Sequence, residues 1–226
     1  LAINTFSLKE SLRIIEESYQ AILGGNVIPM AMGGDHSITL PILRAIAAKY
    51  GPVALVHVDA HADVNDDMFG ERETHGTVFR RAYEEGLIVA DKTYQIGIRG
   101  TGYGADDFTE AQGWGFQQFP AQELWGRQLH NMGAEIRRDI GTRPVYITYD
   151  IDSLDPAYAP GTGTPEIGGL TTPQALELIR SLKGLNIVGC DLVEVSPPYD
   201  TTGNTALTAA NLLYEMMCVL PGVKSR

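Results

Sequence analysis

Cysteine is scarce: the 226 residues contain two, Cys190 and Cys218. Both lie in apolar surroundings, so they offer neither a disulfide framework nor a thiolate cluster and read as reduced, buried small residues. Basic charge is also short, with 17 Lys and Arg against 28 Asp and Glu and a net charge of −11. Phosphate backbones want a basic face, which excludes nucleic acid as the expected partner. Acidity of this size serves solubility and names no partner by itself. No apolar run approaches the roughly 20 residues that span a bilayer, so no membrane contact is expected. The opening segment, LAINTFSLKE, has neither a basic flank nor an apolar centre. It is therefore expected to be no signal peptide, and the compartment is read as cytoplasmic, or an organelle reached through a targeting segment not included here. Repeats, low-complexity tracts and linkers are lacking too. Residues 1–226 are thus expected to form one domain, with a core sustained by 44% hydrophobic and 20% charged residues.

What is present is an alternation of short apolar runs with longer amphipathic ones. SLKESLRIIEESYQAILGG opens with Ser7 and Glu10 spaced as a capping box and closes on Gly24-Gly25. NVIPMAM reads as a strand, SITLPILRAIAAKYG as a helix and PVALVHV as a strand. GTVFRRAYEEG then reads as helical, TYQIGI as extended, ELWGRQLHNMGAEIRRDIG as one long helix and PVYITYD as a strand. TPQALELIRSLKG and LNIVGCDLV repeat the unit, and TALTAANLLYEMMCVL closes as a largely buried helix. Strands alternating with helices of ten or more residues predict βαβ units, hence an α/β fold whose mainly parallel sheet is covered on both faces. Ligands of such sheets bind outside the carboxyl ends of the strands.

The polar clusters fall at those ends. One predicted strand runs into GGDHS, with Asp35 and His36; the next into Asp59, His61 and Asp63; a third into DIDSLDP, with Asp150, Asp152 and Asp155. Alternate residues of an extended segment point the same way, so Asp59, His61 and Asp63 are expected to converge, and Asp150 with Asp152. Four carboxylates brought together repel at neutral pH unless cations lie between them. Two divalent ions balance Asp59, Asp63, Asp150 and Asp152 in formal charge. A ligand set of oxygens and two imidazoles without thiolate suits Mn²⁺ better than structural Zn²⁺. Paired metals about 3.5–4 Å apart activate water for hydrolysis. His57 reads as a core histidine, Asp155 as a turn residue and His130 as a surface one. GTGTPEIGG, residues 161–169, lacks the Lys-Ser or Lys-Thr of a phosphate loop and reads as a shaped pocket rim.

GGDHS, DAHAD, HGT, YDIDSLDPAYAPGTGTPEIGGLT and DLVEVSPPYD together resemble the ureohydrolases, the agmatinase and guanidinobutyrase branch more than arginase itself. The resemblance runs over nearly the whole chain. It implies the three-layer α/β/α arginase-like fold, a binuclear manganese centre and hydrolysis of a guanidino group to urea and an amine. By motif, it implies His36, Asp59, Asp63 and Asp150 as ligands of one Mn²⁺, and Asp59, His61, Asp150 and Asp152 as ligands of the other. It further implies His75 as a substrate-binding residue and proton shuttle to the leaving amine, Glu194 as the carboxylate that holds the guanidinium, and Asp152 or another ligand as a proton relay. It also implies a homo-oligomer, trimer or hexamer, and a further strand and helix before the segment that starts here at Leu1. The substrate expected is 4-guanidinobutanoate or agmatine, with its tail lined by VNDDMFGERET, where Asp66 and Asp67 would favour a cation and Arg72 an anion. Two other readings stay open: a metal-dependent phosphoesterase, which would want basic residues around its phosphate, and a catalytically silent assembly subunit.

Overall fold

The computed structural model describes residues 1–100, 102 and 108–224. Its frame is one six-stranded sheet in the order β1-β6-β5-β2-β3-β4. The strands are β1 (Met30–Met32), β2 (Val53–Val58), β3 (Ile88–Ile98), β4 (Gln117–Pro120), β5 (Pro144–Asp150) and β6 (Asn186–Val193). Every pairing between these strands is parallel. All six residues of β2 are buried, as a central parallel strand with helices on both sides requires.

Three helices cover one face: α1 (Leu8–Leu23), α2 (Thr39–Tyr50) and α3 (Val78–Glu84). Ile15, Tyr19, Leu43, Ile46 and Phe79 pack there against Leu55 and Tyr146. Two short helices, α4 (Glu110–Gly113) and α5 (Ala121–Leu124), flank β4. The opposite face is covered by α6 (His130–Ile140), α7 (Thr172–Ser181) and α8 (Asn204–Val219). Ile136, Leu178, Leu212 and Met216 pack there against Val56, Ile147 and Tyr149. The α/β/α layering expected from the sequence is therefore observed. Caps explain two of the starts. Ser7 Oγ accepts the Glu10 N–H that begins α1, and Thr171 with Gln174 forms a full capping box on α7.

Several boundaries differ from the sequence reading. The single helix expected over residues 123–141 is two, α5 and α6, broken where Gly126 takes φ +69°. The strand expected at 26–32 shortens to β1, whereas β3 extends well before Thr93. The closing helix α8, expected to be largely buried, buries one stripe and exposes Leu207, Tyr214 and Met217.

The sheet order places the site. After β2 the chain crosses to α3 on one face; after β5 it crosses to α7 on the other. β2 and β5 are neighbours, with Val58 beside Tyr149, so the two loops part directly above them. This divergence opens the crevice in which ligands of parallel sheets bind.

Candidate metal centre

Asp59 directly follows β2 and Asp150 ends β5, on adjacent strands. Extended alternation predicts their convergence with the residues that follow. The structure reaches it by tight turns. Asp59 Oδ1 accepts the His61 N–H at 2.6 Å, and Asp150 Oδ1 accepts the Asp152 N–H at 2.8 Å. The same two-residue turn recurs where Asp35 Oδ1 accepts the Ser37 N–H at 2.9 Å. An aspartate that bonds its own backbone two residues on folds the chain back over the strand end. In each of the first two cases the second carboxylate oxygen remains for the site.

His36 opens the 3₁₀ turn His36–Ile38 and is fully buried. Its Nδ1 lies 3.0 Å from Asp63 Oδ2, 3.1 Å from Asp59 Oδ2 and 3.3 Å from Asp150 Oδ2. None of the three stands in hydrogen-bonding geometry, so this buried nitrogen has no hydrogen-bond partner. On the other side of Asp59, His61 Nδ1 lies 3.5 Å from Asp59 Oδ1 and 3.1 Å from Asp152 Oδ2. Two groups able to hold a cation result, His36–His57–Asp59–Asp63 and Asp59–His61–Asp152, with Asp59 common to both. His57, read as a core histidine, is buried beside the first group and bonds Asp59 Oδ2 through Nε2 at 2.7 Å.

The electrostatics ask for positive charge. Burial, then the charges of Asp152 and Asp59, pushes the Asp150 carboxyl well above the usual range. Burial also opposes a charged His36, yet Asp150, Asp59 and Asp63 together hold its imidazole well above the ordinary histidine value. An unpartnered nitrogen aimed at three carboxylates, with oxygens dominating the set, fits a divalent cation. His36, Asp59, Asp63, His61 and Asp152 are thus brought together as expected. Asp150 reaches the His36 side of the cluster.

Above the cluster lies a cavity of about 400 Å³, lined by His61, Asp63, Asp150, Asp152, His75 and Glu194 among others. His75 starts the 3₁₀ turn His75–Thr77 on its wall. Glu194 follows β6 with φ +65°, and Asp63 has φ +53°. Left-handed backbone at non-glycine residues costs roughly 1–2 kcal/mol each, and strain of this kind collects at functional sites. Glu194 Oε1 accepts the His36 N–H at 2.8 Å, and burial pushes its carboxyl up to about 7.

The tail loop needs a correction. It lines the cavity through Val64, Asn65 and Met68, not through the charges singled out in the sequence. Asp66 turns to Arg81 at 2.8 Å and Arg72 at 3.3 Å, while Asp67 and Arg72 are not among the lining residues. The 161–169 segment does form the rim, through Thr164, Pro165 and Glu166. Asp155 acts as the turn residue expected, accepting the N–H groups of Ala157 and Gly168.

Three contributors went unread in the sequence. Thr164 Oγ1 donates to Asp152 Oδ2 at 3.2 Å. Gly100 packs so closely on the His61 ring that a Cβ there would overlap it. Arg99 clamps the backbone beneath the rim. Only the position of Arg99 and Gly100 after the apolar run TYQIGI hinted at the last two.

A sequence model of the Arginase family matches residues 1–218. The chain is 62% identical over 226 residues to a guanidinobutyrase of Pseudomonas aeruginosa, covering all of this chain and 71% of that protein. It is 57% identical over 223 residues to a mitochondrial agmatinase of Gallus gallus, covering 99% of this chain and 66% of that one. Among solved structures, a proclavaminate amidino hydrolase from Streptomyces clavuligerus superposes with a TM-score of 0.89 at 40% identity, over 95% of this chain and 72% of that chain.

Proposed function

Because the chain belongs to the arginase family, whose members are metal-dependent hydrolases, we propose that it hydrolyses the guanidino group of a short linear guanidino compound to urea and an amine. The observation that carries this is the unpartnered His36 Nδ1 among three carboxylates, directly beneath a cavity walled by Glu194 and His75. His36, Asp59, Asp63 and Asp150 would hold one cation, and Asp59, His61, Asp150 and Asp152 the other. When bound, a pair of divalent cations supplies a nucleophilic water at neutral pH and the charge that offsets the buried carboxylates. Manganese is the metal we propose, on the oxygen-rich, thiolate-free donor set.

The chain's own residues then divide the work. Glu194 takes the guanidinium by paired hydrogen bonds, the strong geometry for a planar cation on a carboxylate. Its bond to the His36 backbone ties that recognition to the metal side of the pocket. Thr164 steadies Asp152, which relays the proton released by the attacking water. His75 hands a proton to the departing nitrogen, a transfer suited to imidazole near neutral pH. The balance is guanidinium plus water giving urea plus a protonated amine.

The substrate we propose first is 4-guanidinobutanoate, after the Pseudomonas relative, with agmatine second. The phosphoesterase reading has less support: no Lys or Arg lines the cavity among the described residues. A homo-oligomer, trimer or hexamer, and a cytoplasmic location complete the proposal; no described helix is long and apolar enough to cross a membrane. The test is to load the protein with Mn²⁺, incubate it separately with 4-guanidinobutanoate, agmatine and arginine, and measure urea. Urea from one of the first two supports the reading. No urea from any of the three, with manganese bound, refutes it.

A further inference from the structure

Below the site, a row of polar residues crosses the sheet in one register: Asp191 on β6, Thr148 on β5, His57 on β2, Gln95 on β3 and Gln118 on β4. The first four are fully buried, in strands that are otherwise mostly apolar. None of the five lines the cavity, so none is placed to touch a substrate. Buried polar groups of this kind demand partners, and here the partners lead upward to the ligands.

The direction of each hydrogen bond can be fixed by counting protons. Thr148 has one hydroxyl hydrogen and donates it to Asp191 Oδ1 at 2.6 Å. The other oxygen of Asp191 accepts from Thr39 Oγ1 and from the Tyr146 hydroxyl, each at 2.7 Å. Thr148 Oγ1 is therefore an acceptor toward His36 Nε2, 2.8 Å away, and Nε2 must carry the hydrogen. A cation-binding lone pair is then left on Nδ1, the nitrogen that faces Asp59, Asp63 and Asp150.

The other half of the row acts on Asp59. The carbonyl oxygen of Ala62 can only accept, so the Gln95 amide nitrogen 2.7 Å from it is oriented without ambiguity. The second hydrogen on that nitrogen points at His57 Nδ1, 3.1 Å away, while Gln118 Nε2 donates to Gln95 Oε1 at 2.8 Å. His57 Nδ1 is thus an acceptor and Nε2–H a donor to Asp59 Oδ2. Although His57 stands inside the first cation-holding group, the nitrogen it turns to the site carries a hydrogen and cannot be a ligand.

We propose that this row is the positioning layer of the metal centre: Asp191 and Thr148 set the His36 tautomer that frees Nδ1 for a cation, and Gln95 and His57 pin the Asp59 carboxylate shared by both cation groups. The proposal rests on the metal reading above. The test is a titration of Mn²⁺ into metal-free protein, followed by the electron paramagnetic resonance signal of the free ion. Thr148→Val keeps the shape, removes the hydroxyl, and is expected to weaken one of two bound ions about 10- to 100-fold, the usual cost of losing a ligand's outer partner. Thr148→Ser is expected to restore binding. His57→Phe, which keeps a ring beside Phe79, is expected to weaken both ions, because Asp59 serves both. In wild-type protein loaded with Zn²⁺, ¹⁵N spectra are expected to show the hydrogen on Nε2 of both His36 and His57, a readout that needs no variant to fold. A hydrogen on Nδ1 of either overturns the proposal. So does wild-type-like binding of both ions by Thr148→Val and His57→Phe. A wild-type protein that binds no divalent cation overturns the metal reading itself.

Discussion

Replacing Arg99 with lysine tests how the pocket floor is held. Among the described residues the guanidinium bonds backbone carbonyls: Glu166 at 2.7 Å, Asp152 at 2.8 Å, Gly97 and Ile167 at 3.1 Å, Leu154 at 3.2 Å and Ser153 at 3.3 Å. These carbonyls belong to three segments, the end of β3, the turn after β5 and the rim at 166–167, so one side chain ties the backbone of Asp152 to the cavity rim. The two shortest bonds carry most of the energy. The rest are long, and the Ser153 carbonyl has a second donor in the Leu170 N–H at 2.9 Å. A lysine reaches one or two of the six. A hydrogen bond from a charged donor contributes roughly 1.5–3 kcal/mol, and partial exposure of Arg99 lets water replace some of what is lost. The expected loss for Arg99→Lys is therefore about 2 kcal/mol, read as a lower urea midpoint at unchanged slope. Displacing the rim by a fraction of an ångström should also lower kcat/KM about 10- to 100-fold. A stability change below about 0.5 kcal/mol with unaltered kinetics would refute this account of Arg99.

Asp150→Ala and His75→Ala should separate metal from proton transfer. The first takes an oxygen from the His36 cluster and should abolish both bound metal and turnover; the second should slow turnover while metal content by plasma emission stays at the wild-type level. Gly100→Ala places a methyl group against the His61 ring, and metal titration should show the cation on the Asp59–His61–Asp152 side weakened at least tenfold. Equal binding by that variant would mean that Gly100 merely fills space.

What was legible in the sequence was what is local. The candidate ligands lie in short motifs, D-x-H and D-x-D, and the turns that converge them need only an aspartate and the residue two places on, so the set was readable even though extended alternation was the wrong reason. The layers were readable because apolar runs and amphipathic runs alternate. The break in the helix expected at 123–141 was not, since Gly126 sits in a stretch whose periodicity continues across it. β4, QQFP, has no apolar pattern of its own and exists because β3 offers it an edge. The charges of the tail loop misled for a related reason. Asp66 and Arg72 are neighbours in sequence to pocket residues, but arginines on α3 pull Asp66 away.

The polar row shows where a strand pattern stops being enough. VALVHV, VYITYD, IVGCDLV and TYQIGI each carry a polar residue within an apolar run, His57, Thr148, Asp191 and Gln95, and each taken alone is a blemish in a buried strand. A blemish of that kind costs roughly 1–3 kcal/mol if it is left unpartnered, so a lone strand gives no reason for it. Register supplies the reason, because His57, Thr148, Asp191 and Gln95 fall side by side and satisfy one another. Two of them are also two residues before a proposed ligand, His57 before Asp59 and Thr148 before Asp150, and period-two geometry turns both members of each pair to the same face. The sheet thereby transmits order from its interior to its edge. Carboxylates crowded at strand ends need fixed orientations to hold a cation, and the layer we propose beneath them would provide these with side chains that do not line the cavity.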